Sequence, residues 1–303
     1  MRRLAEVALT ILLFVSFVLT AGSLWAQTGV QTGAQTGAQT PRGRAKPVVV
    51  GLDKYRLAKG RKIASLVNAS GLTYSSETKS LFLVTNKPCY VVELDFDGTI
   101  KRAIFLSNFN DTEGIVHAGG FTFYIAEERR GNICRVTIGR RTKRIEWSDR
   151  KVLKLYVEGD ADNKGLEGLA YDSERRRLFS VKEKRPLKLY QVEAPKDSSK
   201  KSGRIKFKNP WDLDKNGWGL KDVSAVHYHA ASGHLLILSH ESHCLVETTL
   251  EGKEISRLSL RRGSAGLTGD VPQAEGVTMD DEGNIYICSE PNLLYVFRKG
   301  IGG

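Results

Sequence analysis

The sequence predicts an all-β protein, a five-bladed β-propeller closed by an N-terminal strand, with a six-bladed ring as the alternative. The first observation is a unit of two short apolar runs that recurs five times, at intervals of roughly 50 residues. The second is a polar turn between the two runs, which is typical of an antiparallel hairpin. The third is a short dipeptide that opens each copy. The openings are Ser70-Gly71, Glu113-Gly114, Glu167-Gly168, Ser224-Ala225 and Glu275-Gly276.

Ring closure follows from how little sequence remains after the fifth copy. The stretch from Glu275 to Gly303 is too short for a blade of the size seen elsewhere. A propeller then takes its missing outer strand from the other end of the chain, and residues 48–52 or 55–64 can supply it. Such closure removes two sheet edges that would otherwise be free to pair with other chains.

Carboxylates are predicted to gather at one mouth of the channel. In a hairpin the start of the first strand lies beside the end of the second. If the first strand of every blade lines the channel, the opening glutamates meet the acidic residues that follow the second strands. The expected pairs are Glu113 with Glu128, Glu167 with Glu183, and Glu275 with Glu290.

Clustered carboxylates repel one another, by about 4 kcal/mol for a pair at ~4 Å in a medium of effective dielectric constant 20. Oxygen ligands without clustered thiolates suit calcium, which would offset this repulsion. The expected calcium ligands are Glu113, Glu167, Glu275, Glu128 and Glu183, and the expected ligand-binding residues are Asn86, His240, Glu241 and Glu290. The alternative is that each opening glutamate only marks a strand start and accepts hydrogen bonds from nearby backbone amides.

Composition narrows the function classes. The formal net charge is +12, but the basic residues are scattered through turns. Without a recognition helix or a basic stripe interleaved with aromatics, we expect a solvated basic surface and no nucleic-acid partner. Motifs for a serine nucleophile, a nucleotide-binding loop or a dinucleotide fold are absent from the sequence.

The cysteines and histidines give weaker signals. The four cysteines are expected to be buried free thiols, since Cys89 and Cys244 fall in copies that are not neighbours in a five-bladed ring. Five of the six histidines lie in the fourth copy, yet their spacing gives no third ligand to go with His227 and His229 for zinc.

The N-terminal part of the chain has the character of an export segment and a tether. Two arginines precede a long apolar run, so residues 1–26 are expected to form a signal peptide or an uncleaved membrane anchor. Residues 27–47, in which Gln-Thr-Gly recurs, form a low-complexity linker, and residues 48–303 form the propeller. The expected location is periplasmic, or anchored in the cell membrane and facing outward.

Several of these motifs resemble the SdiA-regulated, YjiK-like proteins, and the resemblance covers roughly residues 64–299, nearly the whole propeller domain. The motifs are Asn86-Lys87-Pro88, Leu166-Glu167-Gly168-Leu169, Leu238-Ser239-His240-Glu241 and Gln273-Ala274-Glu275-Gly276-Val277. The resemblance implies a five-bladed propeller distantly similar to NHL-repeat propellers, an N-terminal membrane segment or export signal, and a calcium site. It implies no firm biochemical activity. Ala225 departs from the pattern, because the family usually has glycine there.

Three functions fit these expectations. The first is a binding module of the cell envelope, with an unidentified ligand or partner at the channel mouth. The second is a calcium-dependent hydrolase acting on lactones or phosphoesters, in which Glu167 or Glu183 is the base and His240 assists proton transfer. The third is a structural partner in the envelope. The fold alone does not choose among them.

Overall fold

The computed structural model describes residues 48–156, 165–183, 186–194, 203–206 and 208–300. The chain divides into Met1–Ala45 and Lys46–Gly303, and all of the described residues belong to the second unit. The export segment predicted over 1–26 and the tether predicted over 27–47 therefore lie outside the described residues. Within the described residues, no helix combines the length and the apolar character needed to cross a bilayer.

The second unit is a five-bladed β-propeller, as predicted, and not the six-bladed alternative. Each blade is a small sheet whose strands are numbered here in chain order. Blade 1 contains β2 (Ala69–Ser75), β3 (Ser80–Thr85), β4 (Tyr90–Leu94), β5 (Ile100–Leu106) and β9 (Arg144–Ile145). Blade 2 contains β6 (Thr112–His117), β7 (Thr122–Glu127), β8 (Asn132–Thr137), β10 (Lys151–Tyr156) and β14 (Gly203–Lys206).

The other three blades have four strands each. Blade 3 contains β11 (Leu166–Asp172), β12 (Arg177–Lys182), β13 (Lys188–Glu193) and β15 (Lys208–Asp212). Blade 4 contains β16 (Ala225–His229), β17 (His234–Ser239), β18 (Cys244–Thr248) and β19 (Glu254–Ser259). Blade 5 contains β20 (Ala274–Met279), β21 (Ile285–Ser289), β22 (Leu293–Lys299) and β1 (Tyr55–Lys62).

Short 3₁₀ turns connect some of these strands. They are Leu52–Lys54, Glu128–Arg130, Trp147–Asp149 and Leu213–Asn216. The turn at Glu128–Arg130 directly follows the second strand of blade 2 and ends on Gly131, whose φ of 57° is left-handed. It therefore places Glu128 and Arg129 at the channel end of the blade.

The ring is held together by an apolar core between each pair of neighbouring blades. The second strands are buried on both faces, and β3 shows this along its whole length. The core between blades 5 and 1 joins Leu81 and Leu83 to Tyr286 and Leu294, and so packs the last blade against the first. Four comparable cores fill the other blade interfaces. Burial of this apolar area stabilises the ring by about 25 cal/mol per Å².

The ring is closed by the segment expected over residues 55–64, and not by residues 48–52. Strand β1 pairs antiparallel with β22, from Tyr55 opposite Lys299 to Lys62 opposite Leu293. The residues before β1 are held by blade 4, where the buried Glu247 carboxylate accepts the backbone N–H groups of Val50 (2.8 Å) and Gly51 (2.9 Å).

The four cysteines are buried free thiols, as expected. Cys134, for example, is fully buried in the core between blades 1 and 2. Burial raises the pKa of its thiol, and the nearby Glu127 carboxylate adds to the rise. A thiol of this kind behaves as a small apolar side chain and not as a nucleophile.

Candidate functional site

The site is built where the five innermost strands meet, and glycine makes that approach possible. A Cβ placed on Gly71 would lie 2.6 Å from the carbonyl oxygen of Glu113 and 2.8 Å from the amide nitrogen of Ile115. Blade 4 has Ala225 at the equivalent position, and its Cα packs against Gly168 of blade 3. The glycines of the repeat therefore allow backbone-to-backbone packing around the channel.

A β-bulge turns the opening residues toward the channel. The register between first and second strands shifts at Glu113, between Thr112 and Gly114, and at Glu275, between Ala274 and Gly276. Related shifts occur in blades 1 and 3 around Ser70 and Glu167. A bulged residue is left out of the ladder, and its side chain is re-aimed. Blade 4 pairs in register throughout β16 and β17 and has no opening glutamate.

The residue that follows each second strand is anchored beside the opening by one recurring hydrogen bond. Its backbone N–H donates to the backbone carbonyl of the residue two positions before the first residue of the opening dipeptide. The observed pairs are Asn86 to Asn68, Glu128 to Asp111, Glu183 to Gly165, and Glu290 to Gln273, through their carbonyl oxygens. In blade 4, where β17 ends at Ser239, the N–H of Glu241, two positions after the strand, donates to the Asp222 side chain at 3.0 Å.

Together these contacts bring eight carboxylates to one end of the channel, which we call the carboxylate mouth. Its members are Asp111, Glu113, Glu128, Glu167, Glu183, Asp222, Glu275 and Glu290. The opening glutamates face inward and act on one another electrostatically across blades, so the predicted convergence is observed. Whether these residues bind a metal remains a prediction.

The pKa values in the carboxylate mouth show that ionised carboxylates are unfavourable there. Burial raises the pKa of Glu113 to about 7, and Asp111 and Glu128 add to the rise against the opposing effect of Ser70 and Asn86. Burial also raises the pKa of Glu275 to about 8, with Glu290 and Glu113 contributing.

Glu167 is the most enclosed of the opening glutamates, at 8% exposure. Burial raises its pKa well above the ordinary value, and the charges of Glu113, Glu128, Glu183 and Glu275 raise it further. Burial and then Asp111 raise the pKa of Glu128 as well. These shifts favour the protonated forms of the opening glutamates, because burial and neighbouring carboxylates make the ionised forms unfavourable.

Two buried polar oxygens face this group without a hydrogen-bond partner among the described residues. The Ser70 hydroxyl, 2% exposed, lies beside Glu113, but its geometry falls short of a hydrogen bond. Asp222 uses Oδ1 to accept from Ser239 and from the Glu241 backbone, whereas its buried Oδ2 accepts nothing. Orphaned buried oxygens are uncommon in folded proteins, and a cation bound beside them is one way in which they are satisfied.

The tightest acidic cluster lies between blades 1 and 2. One carboxylate oxygen each from Asp111, Glu113 and Glu128 lies within 4.8 Å of the others. Two cations reach Asp111 from the rim of the mouth: Lys87 Nζ is 3.4 Å from Oδ1, and Arg129 Nε is 2.5 Å from Oδ2. These ligand atoms are all oxygen, which is the donor set that calcium takes.

The four expected ligand-binding residues lie at this end of the channel in different ways. Asn86 donates to Glu113 Oε1 at 3.3 Å, and Glu290 acts on Glu275. His240 is partly exposed, with Nδ1 3.9 Å from Asp222 Oδ2. Glu241 differs, because its side chain is exposed and only its backbone N–H joins the site.

Sequence reasoning missed Asp111 and Asp222. Each precedes the opening residue of its copy by two positions, so the spacing was visible in the sequence. The signal was hard to interpret because the same position holds Asn68, Gly165 and Gln273 in the other copies. In blade 4, Asp222 supplies the carboxylate that the opening serine lacks.

The histidines of the fourth copy do not form a metal cluster within the described part of the chain. Burial lowers the pKa of His227 to about 3, and the neighbouring His229 adds to this effect. His227 therefore stays neutral within the propeller. His229 binds Ser232, and His234 binds the structural Glu247.

One protein family and one solved structure agree with this architecture. The model of the SdiA-regulated family matches residues 49–298. The structure of Myxococcus xanthus glutaminyl cyclase is similar, with a TM-score of 0.59 at 15% identity, covering 80% of this chain and 95% of that one. A luciferin-regenerating enzyme gives a TM-score of 0.49 at 12% identity, covering 80% of this chain and 96% of that one. The likeness to the cyclase establishes the fold alone.

Proposed function

We propose that this chain, which belongs to the SdiA-regulated family, is an exported calcium-binding propeller that acts as a binding module of the cell envelope. The observation that carries the proposal is the carboxylate mouth itself. Eight carboxylates meet there, and two buried oxygens, Ser70 Oγ and Asp222 Oδ2, have no hydrogen-bond partner among the described residues. A bound divalent cation would satisfy those oxygens and offset the repulsion.

The donor set supports calcium over softer metals. The side chains of the mouth offer carboxylate and hydroxyl oxygens, and the thiol of Cys288, fully buried behind Gly276, donates instead to the Ser70 carbonyl. We assign Glu113, Glu128, Glu167, Glu183 and Glu275 as calcium ligands, with Asp111 and Asp222 added. Calcium accepts six to eight oxygens in a flexible arrangement, which suits a ring of carboxylates from different blades.

The position of residues 49–50, which precede the first strand of the propeller, supports a role in binding. Val49 and Val50 line a cavity with His229 and Met279, which end the inner strands of blades 4 and 5. The carboxylate mouth lies at the opposite ends of those strands. A ligand or partner that approaches the carboxylate mouth therefore meets the loops after the second strands, and not residues 49–50. Loops on a rigid scaffold commonly carry binding.

The calcium proposal is tested by calorimetric titration of the purified full chain after treatment with a chelator. We expect saturable calcium binding, and stabilisation by about 2.7 kcal/mol when calcium exceeds the dissociation constant a hundredfold. Glu167→Gln should weaken binding at least tenfold. Glu251→Gln, an exposed residue of the outer turn of blade 4, serves as the matched control. Absence of saturable binding at millimolar calcium would rule out the assignment.

Export and anchoring are tested separately by cell fractionation with a C-terminal tag. The proposal requires the protein in the periplasm or the membrane fraction, and truncation of residues 1–26 should retain it in the cytoplasm. Wild-type protein found in the cytoplasm would contradict this part of the proposal without affecting the calcium site.

A hydrolase is a second candidate, favoured by one observation. Burial raises the pKa of Glu113 to about 7, which is in the range that suits a general acid or base near neutral pH. Bound calcium would supply polarisation of a substrate oxygen. Turnover of lactones, phosphate esters or aryl esters that disappears with Glu113→Gln, even at a calcium concentration that saturates the variant, would favour this function over binding alone.

A further inference from the structure

The carboxylate mouth has a second feature that calcium alone does not explain, which is a cationic rim over one side of it. Lys87 follows the second strand of blade 1, and Arg129 follows the second strand of blade 2. Both reach inward to Asp111, which is 4% exposed, and they contact its two different oxygens. The two cations therefore stand close together over the acidic cluster.

The two rim cations remain open to solvent while they make these contacts. The side chain of Lys87 is 58% exposed and that of Arg129 is 59% exposed. An ammonium group carries three hydrogen-bond donors and a guanidinium group carries five. One carboxylate does not use all of them, so both exposed groups keep donors that are available to a ligand from solvent.

The acidic cluster forms the floor of the mouth, and Lys87 and Arg129 form a cationic rim above it. With a calcium ion on the floor, this arrangement can bind a ligand that bears negatively charged oxygens. Glu113 and Glu275 keep part of their side chains exposed, so the floor is reachable from outside. An anionic oxygen can complete the coordination of a calcium ion held by the floor. A second oxygen of the same ligand can accept charge-assisted hydrogen bonds from the rim.

The geometry points to a small oxyanion, a carboxylate or a phosphate-type group, as the ligand class of this mouth, bound by calcium on one side and by Lys87 and Arg129 on the other. This inference rests on the proposed calcium site. It goes further by naming the ligand's chemistry and the residues that select it. Asn86 orients the cluster beneath, since its amide already donates to Glu113.

The opposing explanation is that Lys87 and Arg129 only neutralise Asp111. The two explanations differ in whether the wild-type protein binds an oxyanion. If the rim selects an oxyanion, its removal lowers anion affinity, and it leaves calcium affinity unchanged or higher because Asp111 loses two competing cations. If the rim only neutralises Asp111, calcium affinity rises in the same way but the wild-type protein binds no oxyanion.

The experiment is a ligand-observed NMR titration of the full chain with methylphosphonate and, separately, with acetate, each followed by its methyl signal. Each titration is run with saturating calcium and with chelator. We expect calcium-dependent binding of at least one probe, and the tighter probe identifies the ligand as phosphate-type or carboxylate. The double variant Lys87→Gln/Arg129→Gln should lose roughly tenfold in anion affinity, and Arg261→Gln, exposed between blades 4 and 5, should match the wild type.

Calorimetry with calcium on the same samples separates the two proposals. If calcium binds and neither probe does, or if the double variant binds the probes as well as the wild type, the oxyanion inference is overturned and the calcium site stands. If calcium itself does not bind, both proposals fall. Both substituted side chains are largely exposed, so the variant is expected to fold, and a calcium titration equal to or tighter than that of the wild type verifies this.

Discussion

Replacement of Glu113 by glutamine should stabilise the calcium-free protein at alkaline pH and weaken the calcium-bound protein at the same pH. Burial raises the pKa of Glu113 from 4.5 to about 7 in the folded chain. For an acid whose folded-state pKa is raised, stability is fully present below the unfolded value and is lost as the pH rises through the folded value. The calcium-free wild type therefore loses stability between pH 4.5 and about 8.

The magnitude follows from the size of the pKa change. One pKa unit corresponds to about 1.4 kcal/mol, so the rise at Glu113 costs about 3 kcal/mol once the carboxyl is ionised. Glutamine keeps the shape and can still accept the hydrogen bond from Asn86, but it carries no charge. At pH 8.5 the variant should be more stable than the wild type by up to that amount, and at pH 4.5 the two should be equal.

The assay is urea unfolding at pH 4.5 and 8.5, followed by tryptophan fluorescence, first with chelator and then with saturating calcium. Calcium should reverse the order at pH 8.5, because it stabilises the ionised wild type and the variant lacks one ligand. Glu251→Gln should follow the wild type throughout. Wild-type and variant curves that stay parallel across both pH values without calcium would refute the reasoning, because the carboxyl would then not be destabilised by its surroundings.

Three further outcomes are expected. Gly71→Ala should destabilise the propeller by about 3 kcal/mol or more, measured by urea unfolding, because the new Cβ would lie 2.6 Å from the Glu113 carbonyl oxygen and backbone cannot yield there; a loss below 1 kcal/mol would contradict the packing. Glu247→Gln should cost about 3 kcal/mol at pH 7, because an amide nitrogen would face the Val50 N–H. Hydrogen bonds overcome the effect of burial and lower the pKa of Glu247, so the difference between the two proteins should shrink as the pH falls, and a constant difference would argue against the carboxylate. Asp222→Asn should weaken calcium binding at least tenfold in calorimetry while a chelator-treated sample keeps its unfolding midpoint, and unchanged affinity would remove Asp222 from the proposed ligands.

The proposals assign different tasks to different layers of the propeller. The five apolar cores between blades fix the ring, and that rigidity lets carboxylates be held together at a cost in free energy. The bulges at the strand openings direct the side chains, and the loops after the second strands supply the rim. A calcium ion at the mouth would therefore link several blades, so its removal should loosen the loops before it affects the cores.

Much of the fold was determined by local sequence. Alternating apolar runs, such as Leu178 to Val181, can bury a face only as strands, and a polar turn between two of them makes a hairpin. Five such hairpins, with an incomplete last copy, predicted the ring and the strand donated from the N-terminal side. Each of these inferences depends on neighbours in sequence, which is why they could be made without coordinates. The inward direction of Glu113, Glu167 and Glu275 also followed from the repeat.

Only the tertiary structure decided which other side chains lie beside the three opening glutamates. Asp111 and Asp222 lie in connections between blades whose sequences do not repeat, and Lys87 and Arg129 become neighbours only because blades 1 and 2 stand side by side. Glu241 looked equivalent to Glu128 by position, yet its backbone and not its carboxylate enters the site. The repeat period and the apolar pattern determine which residues form strands and hairpins. Which side chains from different blades meet depends on the paths of the loops and on the bulges, and these are determined only in the closed ring.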